Sequence, residues 1–130
     1  IFSKKAIFAL IFSAIVCSVA DSWAQTRLTK EEYIDRYKEI AIDHMERYGI
    51  PASITMAQGI LESDSGNSNL ARRSNNHFGI KCKKDWKGAK VYHTDDAPNE
   101  CFRKYDSVED SYEDHAEFLD NSPRYDSLFA

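Results

Sequence analysis

The chain has 130 residues, with 17 Lys and Arg against 21 Asp and Glu, for a formal net charge of −4. That length is one domain's worth, and 42% hydrophobic content with seven Tyr and seven Phe can fill a modest core. The acidic balance argues against a nucleic-acid partner, which calls for a basic patch.

In chain order, Lys4 and Lys5 precede an apolar run from Ala6 to Ala20, and Ser22-Trp23-Ala24 follows. A basic stretch, an apolar stretch and an A-x-A-like site read as a secretory signal peptide over residues 1–24. The rival is a membrane anchor, for which the run is short against the ~20 residues a span needs. Val16 before Cys17 is too bulky for a lipoprotein signal. The chain opens on Ile rather than Met, so residues before it are expected. Removing residues 1–24 takes away Lys4, Lys5 and Asp21, leaving 15 basic and 20 acidic residues and a net charge of −5. The mature part, 25–130, is read as exported, secreted or held in the periplasm or cell envelope, with no stable membrane insertion after cleavage.

Thr29-Lys-Glu-Glu32 is a capping box. The spacing of Tyr33, Tyr37, Ile40, Ala41, His44 and Tyr48 predicts a helix, ended by Gly49. Pro51 restarts the chain into a second helix that runs to about Glu62, with Ile54, Ala57, Ile60 and Leu61 expected on its core face. Ser63 to Asn76 is polar, with a short helix expected over Leu70–Arg73. Asn75 to Cys82 turns from loop to strand-like chain. Val91–Thr94 and Cys101–Tyr105 alternate as strands, with turns at Trp86–Gly88 and Ala97–Asn99. Ser107 caps a helix with Val108, Tyr112, Ala116, Phe118 and Leu119 on its apolar side, and Pro123 ends it or opens a short last one. Helices, a small antiparallel sheet, then helices make an α+β domain with a β-lobe set into a helical body.

Glu62 ends an apolar helical stretch and is followed at once by Ser-Asp-Ser-Gly66. Apolar neighbours and the negative end of a helix dipole both disfavour a charged carboxylate there. A carboxyl that keeps its proton near neutral pH is the general acid that glycoside cleavage requires. The alternative is a solvated residue at a frayed helix end. A partner carboxylate is expected from the sheet side, at Asp95 or Asp96, with Glu100 nearby; the alternative for the Asp pair is a solvated loop. Phe78, Trp86, Tyr92, Phe102 and Tyr105 could stack on sugar rings or serve as core. Asn75, Asn76 and His77 could bind hydroxyl and N-acetyl groups or make an Asx turn. His44 and His115 read as core histidines.

Cys17 would leave with the signal, so Cys82 and Cys101 remain as an even pair, and a disulfide is expected in an exported chain. A metal site from Cys82, Cys101, His93 and His77 is the rival, but its spacing matches no usual zinc pattern. Free thiols are the third alternative.

Ala57-Gln-Gly-Ile-Leu-Glu-Ser63, then Asn75-Asn-His-Phe-Gly-Ile-Lys81, then Cys101-Phe-Arg-Lys-Tyr105 followed by Ser107 and the Asp114-His115 helix, together resemble the peptidoglycan-cleaving β-N-acetylglucosaminidases. That family includes flagellar muramidase-like enzymes and autolysins, and the resemblance covers roughly residues 29–130. It implies a lysozyme-like α+β fold with a groove between the lobes. It implies hydrolysis of the β-1,4 bond after N-acetylglucosamine in peptidoglycan glycan strands, with no metal or organic cofactor. It places the general acid at Glu62, the second carboxylate at Asp96 in preference to Asp95, and groove residues at Gln58, Asn76, Phe78 and Tyr105. The family commonly carries Glu where this chain has Asp. Family members also usually continue past a point like Ala130, many into cell-wall-binding repeats, so the resemblance implies a domain incomplete at its C-terminus. A glycan-binding domain without turnover, and a muramidase or lytic transglycosylase on the same fold, are the two rival readings.

Overall fold

The computed structural model describes residues 26–126, with side chains through Arg124. The expected signal peptide, Cys17, Leu128 and Phe129 lie outside the described residues.

The first helix, α1 (Lys30–Tyr48), begins where the capping box was expected. Thr29 Oγ1 accepts from Glu32 N at 3.1 Å, and Thr29 N donates back to Glu32 Oε1 at 3.2 Å. Such a cap is worth about 1 kcal/mol. Gly49 closes the helix at φ 75°, a conformation that favours glycine. Pro51 then caps α2 (Ala52–Ser63), and α3 (Asn69–Ser74) follows the polar turn. The sheet is one antiparallel hairpin, β1 (Lys90–His93) with β2 (Glu100–Arg103), in the register Val91 to Phe102 and Tyr92 to Cys101. The strand-like segment before Cys82 joins it only by a bridge between Lys81 and Phe102. Ser107 caps α4 (Val108–Asp120), and Pro123 opens α5 (Pro123–Asp126). This is the expected α+β arrangement. Among the described residues no helix is long and apolar enough to cross a membrane.

The core sits where α1, α2 and α4 meet and is built from Tyr33, Tyr37, Ala41, Met56, Phe78 and Tyr112. Its centre is polar as well as aromatic. The hydroxyls of Tyr33 and Tyr112 lie 2.6 Å apart, and Tyr33 Oη lies 2.9 Å from His77 Nδ1. Of the four α2 residues expected on the core face, Ile60 packs against this cluster, and the cluster explains why the rest of the inward face differs from the expected one. Thr55, Met56, Gly59 and Ser63 are buried, whereas Ile54 is 42% exposed and Leu61 81% exposed. A Cβ on Gly59 would stand 2.8 Å from the Tyr33 hydroxyl and 2.9 Å from that of Tyr112. Small residues on α2 admit the two tyrosines, and steric room overrides hydrophobicity in choosing the face.

A second cluster, Ile50, Ala116 and Leu119, closes the other end of the helical body. There Glu113 of α4 accepts from Arg47 Nη2 at 2.8 Å and Tyr48 Oη at 3.0 Å, and pairs with His44 Nε2 at 2.9 Å. The Arg47 guanidinium holds the Glu113 carboxyl below the usual range.

Candidate active site

Glu62 leaves the last turn of α2 and is exposed. It stands at the seam between two cavities. One, of about 310 Å3, is bounded by Gln58, Glu62, Phe78, Lys81, His115 and Phe118. The other, of about 320 Å3, is bounded by Leu61, Glu62, Gly79, His93, Asp95 and Phe102. Glu62 and Gly79 line both, so the two cavities meet there as the halves of one groove, one half against α4 and the other against the hairpin. A larger cavity, about 470 Å3, lies elsewhere beside Arg36, Arg72, Asn67 and His77. It holds none of the candidate carboxylates.

The wall opposite α2 is the turn 76–80. Gly79 has φ 63°, and a Cβ there would come within 3.2 Å of Glu62 Oε2. Glycine is favoured twice over, for the backbone conformation and for the room it leaves the carboxylate. Asn76 holds this turn in shape. It is 1% exposed. Its Nδ2 donates to Ile80 O and Arg103 O, both at 2.9 Å, while Oδ1 accepts from Ile80 N at 3.1 Å and Phe78 N at 3.4 Å. The amide has nothing left for a ligand. Asn76 is thus corrected from a substrate contact to the fastening that sets Phe78 and Gly79 in place.

Phe78 does reach the groove. It is 8% exposed, lies flat on His115 and meets Tyr112 edge-on. Gln58 is exposed, lines the same half, and bonds through Oε1 to His115 Nε2 at 2.9 Å. Tyr105 is the second correction. Its hydroxyl donates to Asp114 Oδ2, and its ring meets Trp86 edge-on in a separate hollow beside Lys104 and Asp110. Burial first, then the Asp114 carboxylate, push the phenol pKa upward. With Arg103 Nη1 on the same Asp114 oxygen at 2.8 Å, Tyr105 ties the hairpin to α4. It does not line either half of the Glu62 groove.

Of the two aspartates, Asp95 shares a cavity wall with Glu62, whereas Asp96 is absent from that wall. By position along that wall, Asp95 rather than the favoured Asp96 is the aspartate that adjoins Glu62. Glu100 is engaged by Lys81, 2.8 Å away, which holds its carboxyl below the usual range. The same Lys81 lines the groove.

Cys82 and Cys101 form a disulfide, 19 residues apart in sequence, beside the backbone bond from Cys82 N to Cys101 O. With both sulfurs bonded to each other, the rival metal site loses its thiolates and the free-thiol alternative falls away. The bridge fastens the end of the groove wall to β2.

No groove role was expected for Gly79 or Lys81, and His93 was weighed only as a ligand of the rival metal site. The first two were visible inside Asn75–Lys81, but nothing in residue type alone marks a glycine as making room for a carboxylate. His93 enters the groove from β1 and takes a bond at 3.3 Å from Arg73 Nη2 on its Nδ1.

Residues 38–130 match the family model described as mannosyl-glycoprotein endo-β-N-acetylglucosaminidase. Among curated proteins, the peptidoglycan hydrolase FlgJ of Vibrio cholerae serotype O1 is 32% identical over 108 residues, covering 75% of this chain and 32% of the relative. The exo-glucosaminidase LytG of Bacillus subtilis strain 168 is 40% identical over 98 residues, covering 69% of this chain and 34% of the relative. The chain thus spans about a third of the length of these relatives. Among solved structures, a peptidoglycan hydrolase from Sphingomonas sp. A1 superposes with a TM-score of 0.67 at 33% identity, over 75% of this chain and 65% of that one. The glycoside hydrolase domain of Salmonella typhimurium FlgJ gives 0.66 at 28% identity, over 78% and 67%.

Proposed function

The chain belongs to the mannosyl-glycoprotein endo-β-N-acetylglucosaminidase family, and from that premise we propose that it hydrolyses the β-1,4 bond after N-acetylglucosamine in peptidoglycan glycan strands. The observation that carries this reading is the place of Glu62, at the seam of a two-part groove with Asp95 on the wall of one half. A glycan laid along the groove sets one sugar in each half and its linking oxygen over Glu62.

The reaction then runs as follows. The Glu62 carboxyl gives its proton to the glycosidic oxygen, and the bond from that oxygen to C1 breaks. The electron pair leaves with the departing sugar's hydroxyl. Positive charge builds on C1 and the ring oxygen, and the Asp95 carboxylate faces it across the half-groove. Water adds at C1 and its proton returns to a carboxylate.

The relatives' names point to the bacterial cell wall, so the place of action is the cell envelope or beyond it, reached through export by residues 1–24. The test is incubation with purified peptidoglycan and mass spectrometry of the new ends. Reducing-end N-acetylglucosamine is expected. Reducing-end N-acetylmuramic acid or anhydromuramic ends would transfer the chain to the muramidase or lytic transglycosylase reading. Retained binding without cleavage would make it a glycan-binding domain.

A further inference from the structure

The reaction above leaves one buried side chain beside Glu62 without a role. His115 projects from α4, is 7% exposed, and bonds through Nε2 to Gln58 Oε1 at 2.9 Å. Its ring stacks on Phe78, with centroids 3.9 Å apart and planes within 12°. The other nitrogen, Nδ1, is buried with no hydrogen-bond partner among the described residues.

The tautomer follows from this asymmetry. Burial pushes the imidazole pKa down to about 4, so at neutral pH the ring carries one N–H. With that proton on Nδ1, a buried donor would have no acceptor. With it on Nε2, the N–H donates to Gln58 and the orphan is only a lone pair. Buried donors without partners are the rarer and costlier case. The Nε2–H form therefore stands, and it takes up the oxygen end of the Gln58 carboxamide. One lone pair of the carboxamide oxygen is thereby taken up by His115, and the NH2 group is the donor Gln58 can offer the cavity.

We propose that His115 is a positioning residue that locks the Gln58 amide with its NH2 toward the groove, and that this half of the groove is the seat of an acetamido group. The NH2 donates to the acetamido carbonyl oxygen. The methyl group meets the apolar wall of Phe78, Ile80, Phe118 and Leu119, which line the same cavity. An amide free to turn would present either end and discriminate less. The inference rests on the glycan reading above for its ligand, while its tautomer and amide orientation belong to the protein alone.

Two measurements test it. In 15N-labelled protein without glycan, the His115 ring is expected to be protonated on Nε2 and bare on Nδ1. The opposite tautomer overturns the proposal whatever the protein does to peptidoglycan. Calorimetric titration then compares chitotetraose with its de-N-acetylated counterpart. His115→Phe keeps the ring stack and removes the N–H, and is expected to weaken chitotetraose binding about tenfold, the size of one hydrogen bond, with the de-N-acetylated chain unaffected. Gln58→Ala, at an exposed position, is expected to do the same without touching the core. Equal losses for both chains, no loss for either, or a wild type that ignores the acetyl group each overturn the acetamido seat. A wild type that leaves peptidoglycan uncut yet shows the Nε2–H tautomer and the acetyl preference would sink the hydrolase reading and keep this one.

Discussion

Gly79 and Glu62 face each other so closely that a single added methyl group on the glycine would lie 3.2 Å from the carboxylate. Among the described residues Glu62 makes no hydrogen bond or ion pair through its side chain that replacement would break, and it is exposed. Glu62→Gln is therefore expected to lower peptidoglycan turnover by roughly 10²–10⁴-fold, the usual contribution of a general acid, with the melting temperature unchanged. Assay and thermal unfolding on the same preparation check both halves. Near-normal turnover would remove Glu62 from the acid's role.

The aspartates divide by position. Asp95→Asn is expected to cost on the order of 10²-fold in turnover, as expected for a charge that stabilises a developing cation, and Asp96→Asn should stay close to wild type. Side-by-side rates decide it, and the reverse order would move the second carboxylate to Asp96.

Gly59 tests the core rather than the chemistry. Gly59→Ala would press a methyl group into the Tyr33 and Tyr112 hydroxyls. Denaturant unfolding is expected to show a loss of about 1–3 kcal/mol from overpacking, despite alanine's better helix propensity. A stabilised variant would mean the tyrosines can move aside.

The disulfide closes a loop with a sequence separation of 19. The double variant Cys82→Ser, Cys101→Ser is expected to lose about 3 kcal/mol on chain-entropy grounds. Urea midpoints of the two proteins measure this, and equal midpoints would show the loop held without the bridge.

Acid should unfold the domain through its buried histidines. Burial pushes both His77 and His115 down to about 4 from an ordinary 6.5. Their folded pKa values are depressed, so below 6.5 the unfolded chain binds protons that the folded one refuses. The stability they contribute is present above 6.5 and is lost as pH falls toward 4, by about 3 kcal/mol per histidine. Unfolding free energy measured between pH 7 and pH 4 should fall by that order, with a shallower slope in His115→Phe. A flat profile across that window would contradict the burial argument.

Much of the fold is written locally. Thr29 with Glu32, Gly49, Ser107 and the apolar spacing of α1 name their elements directly, because caps and periodicity act over a few residues. The inner face of α2 is not legible this way. Gly59 and Ser63 are buried because the tyrosine hydroxyls from α1 and α4 need space there, and that demand comes from residues distant in sequence. The site divides likewise. Glu62 announces itself at a helix end, while Asn76 and Tyr105 have the right chemistry for a sugar and spend it on the protein. Asp95 and Asp96 are neighbours in sequence, so only the hairpin's path separates them.

The spent amide of Asn76 has an evolutionary side. One side chain fixes the shape of the turn facing Glu62 from behind, and the disulfide anchors the same wall further along. Residues that line the groove away from that turn, Leu61 and His93 among them, are thereby relieved of structural duty on it. They can change to suit a differently decorated glycan while the acid and the backbone opposite it keep their spacing. Variation in substrate preference among such domains is then expected at those outward positions, with the Asn76 turn carried over intact.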